Sequence, residues 1–175
     1  MSKIEEQMQN LRMTTGRDPV CGKQVELAQN SRSLVYHGVT YHFCSGHCQE
    51  RFVDIPALYT GPQRLADIRP ILKRRKLRVV DGNQANLPLV CQRLQEMIGV
   101  SSVTCENDRL IVEYDLRLTV LTQIEAVAAT EDVHFKEGVH ALRRWLWKSA
   151  ESNELENAAH PATGACCNRP PVRLR

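Results

Sequence analysis

The chain has 175 residues, a quarter of them charged, with a net charge of +3; this bounds it to one or two soluble domains. So slight a positive excess excludes a nucleic-acid binder built on a phosphate-neutralising face, and the two locally basic runs, "KRRK" (73–76) and "RPPVRLR" (169–175), read as solvated linker and tail. No apolar run reaches the roughly 18 residues that span a bilayer and "MSKIEEQMQNLR" is too polar for a secretory signal, so a cytoplasmic protein without membrane insertion is expected.

In that compartment the seven cysteines are expected to be thiols or metal ligands rather than a disulfide framework. Residues 1–16 read as a leader, a short polar helix or disordered. Residues 17–60 follow with three cysteines, three histidines and most of the aromatics. A segment of this size seldom folds on a hydrophobic core alone, and a staple is expected.

Periodicity places the candidate ligands. A strand over "VTYHFC" sends Tyr41 and Phe43 to one face and His42 and Cys44 to the other. Ser45 and Gly46 then open a helix, which puts Cys44 at its start and Cys48 one turn later on the same side. Cys21 lies in "DPVCGK", where Pro19 sets a turn and Gly22 lets backbone N–H groups approach the sulfur. Three thiolates converge if a hairpin returns the chain to Cys21. His42 ranks first as a fourth ligand; His47 points roughly 100° aside on the helix, His37 sits in an exposed "YHG" turn, and the fourth position can also stay empty.

"DPVCGKQV" and "YHGVTYHFCSGHCQERFVDIPALY" together resemble the YHS domain, a small treble-clef-like module related to the TRASH metal-binding modules, over about Asp18 to Tyr59. The resemblance implies metal binding through Cys21, Cys44 and Cys48. Lys23 stands where that family often has Met, which removes one soft ligand. Such modules occur beside heavy-metal-associated domains in copper-transport ATPases and in free-standing metal-handling proteins. Redox catalysis is disfavoured, because thiol oxidoreductases place a Cys-x-x-Cys at a helix start in a βαβ context that is absent here. Nucleophilic cysteine catalysis lacks a recognisable motif.

Residues 61–76 carry turn residues and charge and read as a linker with a possible short helix. From Leu77 to 137 the order is β-α-β-β-α-β: a strand at "LRVVDG", a helix with Leu87, Val90, Cys91, Leu94, Met97 and Ile98 on one stripe, strands "VSSVTCE" and "RLIVEYD" around an "ND" turn, a helix with Leu118, Leu121, Ile124, Val127 and Ala128 inward, and a last strand "DVHFK". "GVSSVTCENDRLIVEYD" and "LTQIEAVAATEDVHF" resemble the heavy-metal-associated (HMA) domain, which implies a ferredoxin-like fold. The Cys-x-x-Cys of that family's first loop is absent from "VDGNQANLPLVCQ", and Asn83, Gln84 and Asn86 are poor soft-metal ligands. Cys91 is expected to be a core cysteine and Cys105 is given the same reading, which leaves a domain suited to docking a partner or dimerising.

Residues 138–157 form a C-terminal helix with Leu142, Trp145 and Leu146 on one side and Trp147 on another face, where it is a candidate contact residue. Residues 158–175 read as a flexible tail; Cys166 and Cys167 there are candidate thiols for metal capture, though neighbouring side chains in an extended chain point apart, and His160 is incidental.

The expected fold class is α+β: a small treble-clef-like Cys-rich module, a ferredoxin-like βαββαβ domain and a C-terminal helix. The expected ion is Cu(I) or Zn(II). Three thiolates without a committed fourth ligand suit Cu(I), whereas a Cys₃His set suits Zn(II). The expected function is non-enzymatic metal binding and trafficking, with transfer to a metal-transporting ATPase or other metalloprotein. An adaptor held together by structural zinc and a subunit of a metalloenzyme assembly are the alternatives, and a homodimer is possible.

Overall fold

The computed structural model describes residues 15–27, 32–60, 68–82 and 85–160. Most of the expected leader and tail, with Cys166 and Cys167, lies outside these residues, as do Asn83 and Gln84. Helices and small antiparallel sheets are mixed along the chain. No helix among the described residues is long and apolar enough to cross a membrane.

The first half is built from two hairpins and two short helices. Strands β1 (Thr15–Arg17) and β2 (Gln24–Glu26) pair around the Asp18–Lys23 turn. Strands β3 (Arg32–Tyr36) and β4 (Val39–Phe43) pair through a two-residue connection. Both residues of that connection, His37 and Gly38, have positive φ (48° and 77°), the arrangement that matches strand twist in tight hairpins. Helix α1 (Gly46–Asp54) starts at Ser45, whose hydroxyl accepts the N–H of Cys48, and α2 (Pro56–Thr60) follows. Phe52 of α1 is fully buried and packs against the rings of Tyr41, Phe43, Tyr36 and Tyr59 at centroid distances of 4.7 to 6.0 Å, a range in which aromatic pairs add to area burial.

The second half contains β5 (Leu72–Arg78), α3 (Leu87–Gln95), β6 (Val100–Glu106), β7 (Arg109–Asp115), α4 (Leu121–Thr130) and α5 (Val139–Ala159). The strands form one antiparallel sheet in the order β5-β7-β6. Three expectations are corrected here. The strand expected from Leu77 begins at Leu72 and absorbs the basic run read as solvated linker. Its alternation explains why: Lys73 and Arg75 turn to the face covered by α5, where Glu154 and Glu151 pair with them, while Arg74 and Lys76 point to solvent. The expected last strand at "DVHFK" is reduced to a single bridge between Val79 and Phe135, flanked by bonds from the Val80 N–H to the His134 carbonyl and from the Lys136 N–H to the Arg78 carbonyl, before the chain turns at Gly138 (φ +68°) into α5.

The third correction concerns the faces of α5. Its inward residues are Trp147, Glu151, Leu155 and Ala159, four apart and therefore on one stripe. Trp147, read as a candidate contact residue, lies under the Arg75 guanidinium at 5.0 Å. Leu142, Trp145 and Leu146 face out. Glu151 decides this rotation. Only 2% exposed, it accepts the Tyr114 hydroxyl, the Leu121 N–H (3.0 Å) and the Arg75 guanidinium (3.1 Å), so it ties α5 to β7, to the start of α4 and to β5 at once.

Buried side chains of both halves form one cluster, from Val20, Phe43, Phe52 and Leu58 to Leu77, Leu110, Leu116 and Ile124. At their junction Arg51 of α1 donates to the Leu116 carbonyl at 3.0 Å and the Tyr59 hydroxyl to the Arg117 carbonyl at 2.7 Å. Gly99 supports the same turn from below: at φ +92° a Cβ there would lie 2.6 Å from the Leu118 Cβ, so no other residue fits.

Replacement of Glu151 by Ala strands a part-buried guanidinium, a buried hydroxyl and a buried N–H. We expect a loss of about 3 kcal/mol in urea unfolding, with Glu151→Gln losing less because its amide oxygen still accepts.

Candidate metal centre

Four potential ligand groups meet where the first turn, the end of β4 and the start of α1 converge. The sulfur of Cys44 lies 3.4 Å from that of Cys21 and 3.7 Å from that of Cys48. With a carboxylate oxygen of Asp18, the ligand atoms all lie within 4.8 Å of one another. The three sulfurs expected from the Cys-x-x-x-Cys spacing and the "DPVCGK" turn are therefore together. Cys48 is fully buried, Cys21 half-buried and Cys44 exposed, so the cluster opens to solvent beside Cys44.

Asp18 was missed by the sequence reading. It is 1% exposed. Its Oδ1 accepts the N–H of Val20 (2.8 Å) and of Cys21 (3.3 Å), and its Oδ2 accepts the N–H of Cys44 (2.8 Å). One carboxylate thus clamps both cysteine-bearing segments. The available signal was an aspartate two and three residues ahead of these amides in a proline turn, the pattern of an Asx turn; the bond to Cys44, 26 residues away, had none. Burial raises the Asp18 pKa, but the hydrogen bonds from Cys44, Val20 and Cys21 outweigh it and hold the carboxyl below its ordinary value.

The thiols are moved the other way. Burial, with the neighbouring Cys44 and the Asp18 charge, pushes Cys21 up to about 11 against the Lys23 N–H. Burial raises Cys48 as well, with Asp18 and Cys21 adding to it and Ser45 opposing. Both are neutral thiols at neutral pH, and an ion taken up there displaces their protons.

The histidines are placed differently. His42 lies half-buried on β4, paired across the hairpin with Ser33, and is not a member of the four-residue cluster. His37 is exposed in its turn. His47 points away from its neighbour Cys48, and its Nε2 donates to the Leu118 carbonyl at 3.0 Å. Burial lowers its pKa, assisted by the Arg51 charge and opposed by the Leu118 bond, which leaves a neutral ring that fixes the orientation of α1. With Arg51 and Tyr59, three side chains of the first half hold three successive carbonyls, 116 to 118, of the second.

Cys91 and Cys105, read as core thiols, are joined in a disulfide between α3 and β6. Cys91 sits on the helix flank rather than in its buried stripe of Leu87, Val90 and Leu94, and Cys105 points at it from the edge strand β6.

The sequence of the first half matches a known family. Residues 17–63 match the YHS domain. A copper-transporting P-type ATPase of Rhizobium leguminosarum bv. viciae is 44% identical to the chain over 43 residues, which is 25% of this chain and 5% of the ATPase. A quarter of the chain thus corresponds to a small segment of that relative. No solved structure matches the chain. Within the YHS domain, Asp18, Cys21, Cys44 and Cys48 are the residues that converge, and the rest of the match supplies the aromatic core beneath them.

Removing the Asp18 carboxylate leaves three backbone N–H groups without their acceptor. Asp18→Ala is expected to cost about 2 kcal/mol in urea unfolding and to speed alkylation of Cys48, followed by mass spectrometry; Asp18→Asn should lose less. His47→Ala is expected to cost about 1 kcal/mol while leaving the metal stoichiometry unchanged, an outcome that a ligand histidine would not give.

Proposed function

We propose that this protein holds a thiophilic metal ion, copper foremost, at Cys21, Cys44 and Cys48 and passes it to a partner. The observation that carries the reading is the convergence of three sulfurs from two separate segments in a match to the YHS domain. Soft thiolates select Cu(I), which accepts low coordination numbers, and the likeness to a segment of a copper-transporting ATPase supports the same ion. The graded exposure suits exchange: Cys44 is reached first, and an incoming thiolate displaces the three ligands one at a time.

The second half is read as a ferredoxin-like, HMA-related domain, with β5-β7-β6 and the Phe135 bridge supplying its strand order. It carries no loop Cys-x-x-Cys, and its role is to dock a partner such as a transporting ATPase or another metalloprotein. We place the protein in the cytoplasm and assign it no catalytic activity.

One observation favours a second reading, an adaptor with a structural Zn(II). Asp18 stands within reach as a fourth ligand; three of the roughly four acceptor positions on its carboxylate are taken by the backbone of Val20, Cys21 and Cys44, and the remaining one faces the Cys44 thiol, whose proton a bound cation would displace. Zinc held by Cys₃Asp would be four-coordinate and would contribute folding energy outright.

The two readings part on removal of the metal. Protein purified without oxygen is expected to take up about one Cu(I) per chain at this site, measured against a competing chelator, to lose it in Cys44→Ser/Cys48→Ser, and to stay folded when the ion is stripped. Tightly held zinc whose removal unfolds residues 17–60 would establish the adaptor instead.

A further inference from the structure

We propose that Cys91 and Cys105 are a second, redox-controlled site for a soft monovalent ion, closed as a disulfide and able to hold Cu(I) as a dithiol. Their Cα atoms are 6.6 Å apart, near the wide end of the separations that disulfides bridge. Two metal–sulfur bonds of about 2.3 Å place two thiolates at most about 4.6 Å apart, a distance these side chains reach by rotation about their Cα–Cβ bonds, without movement of the backbone.

The surroundings favour reversibility. Both residues are half-buried rather than sealed, so a small thiol reductant or an ion in complex with one can reach them. They stand on regular elements, α3 and β6, whose contact rests on apolar packing around Leu87, Val90, Leu94 and Val103 and does not depend on the bond. The loop the disulfide closes is short, with a sequence separation of 14, so its opening gives back less chain entropy than a long loop would. Opened, the two sulfurs remain preorganised.

The donor set selects the ion. Among the described residues two sulfurs meet here, with the Leu87 carbonyl 3.5 Å from Cys105. Tetrahedral Zn(II) would lack two ligands, whereas two-coordinate Cu(I) is complete. The chemistry balances in two steps. A dithiol or a pair of glutathione-class thiols reduces the disulfide, two electrons and two protons passing to Cys91 and Cys105 while the reductant becomes a disulfide. Cu(I) then binds both sulfurs with release of two protons. Oxidation of the pair abolishes the site, so the second half would take up copper only under reducing conditions.

The inference deepens the copper reading and is tested apart from it. In full-length protein carrying C21S, C44S, C48S, C166S and C167S, Cys91 and Cys105 are the sole cysteines. After reduction and removal of the reductant, it is titrated with Cu(I) and separately with Zn(II) against chelators. We expect retention of about one Cu(I) and no zinc, and complete loss of copper binding after oxidation with a diazene thiol oxidant. In reduced wild-type protein, Cu(I) should shield Cys91 and Cys105 from alkylation, a readout that serves if the variant does not fold. Two free thiols that leave Cu(I) with the chelator, or that stay open to alkylation in its presence, would overturn the proposal. So would a disulfide that resists reduction in the folded protein. C91S/C105S retains the first site, so failure there would count against the first site alone.

Discussion

The carboxylate of Asp18 is the constraint on which the candidate centre rests. Three sulfurs crowded between two chain segments have no reason to assemble by themselves, since neutral thiols attract one another weakly and burial disfavours their ionised forms. A buried charge that accepts backbone N–H groups from both segments supplies the missing attraction. It does so without spending a thiol. Burial raises the Cys21 and Cys48 pKa values and the same charge adds to it, so the group that builds the site also helps to keep it protonated until a cation arrives.

From that clamp the architecture runs outward through α1. Ser45 caps the helix, Cys48 and Phe52 fall on its inner side, and His47 and Arg51 reach past it to the 116–118 turn. Hydrogen bonds to successive backbone carbonyls fix both the tilt and the rotation of a helix, and Gly99 keeps the receiving turn in place. Glu151 plays the corresponding part for α5. Both halves of the molecule are therefore oriented by buried polar groups with several partners, over a shared apolar core that is itself indifferent to direction.

Much of the fold could be read from local pattern. The amphipathic stripes of α3 and α4, the "ND" turn between β6 and β7, the Ser45 cap and the "YHG" turn follow from residue types a few positions apart. The misreadings have one cause. Lys73 and Arg75 look solvated until Glu154 and Glu151, some eighty residues later, are placed above them. Trp147 read as a contact residue because it stands apart from Leu142, Trp145 and Leu146, yet Glu151 on the Trp147 side has three partners inside the fold, while those three are exposed among the described residues. Cys91 read as core because helical spacing locates it near the stripe, and only the position of the β6 edge turns that flank towards Cys105.

The sequence by itself determined the thiol spacing, the cap and turn that aim Cys44 and Cys48 the same way, and the turn that presents Cys21. These are short-range consequences of backbone stereochemistry. Tertiary structure alone decided that Asp18 joins them, that His47 serves the second half instead of the centre, and that Cys91 meets Cys105. Each of those depends on a contact between residues far apart in the chain, and such contacts are selected by the satisfaction of buried polar groups across the whole fold, which no local window of sequence contains.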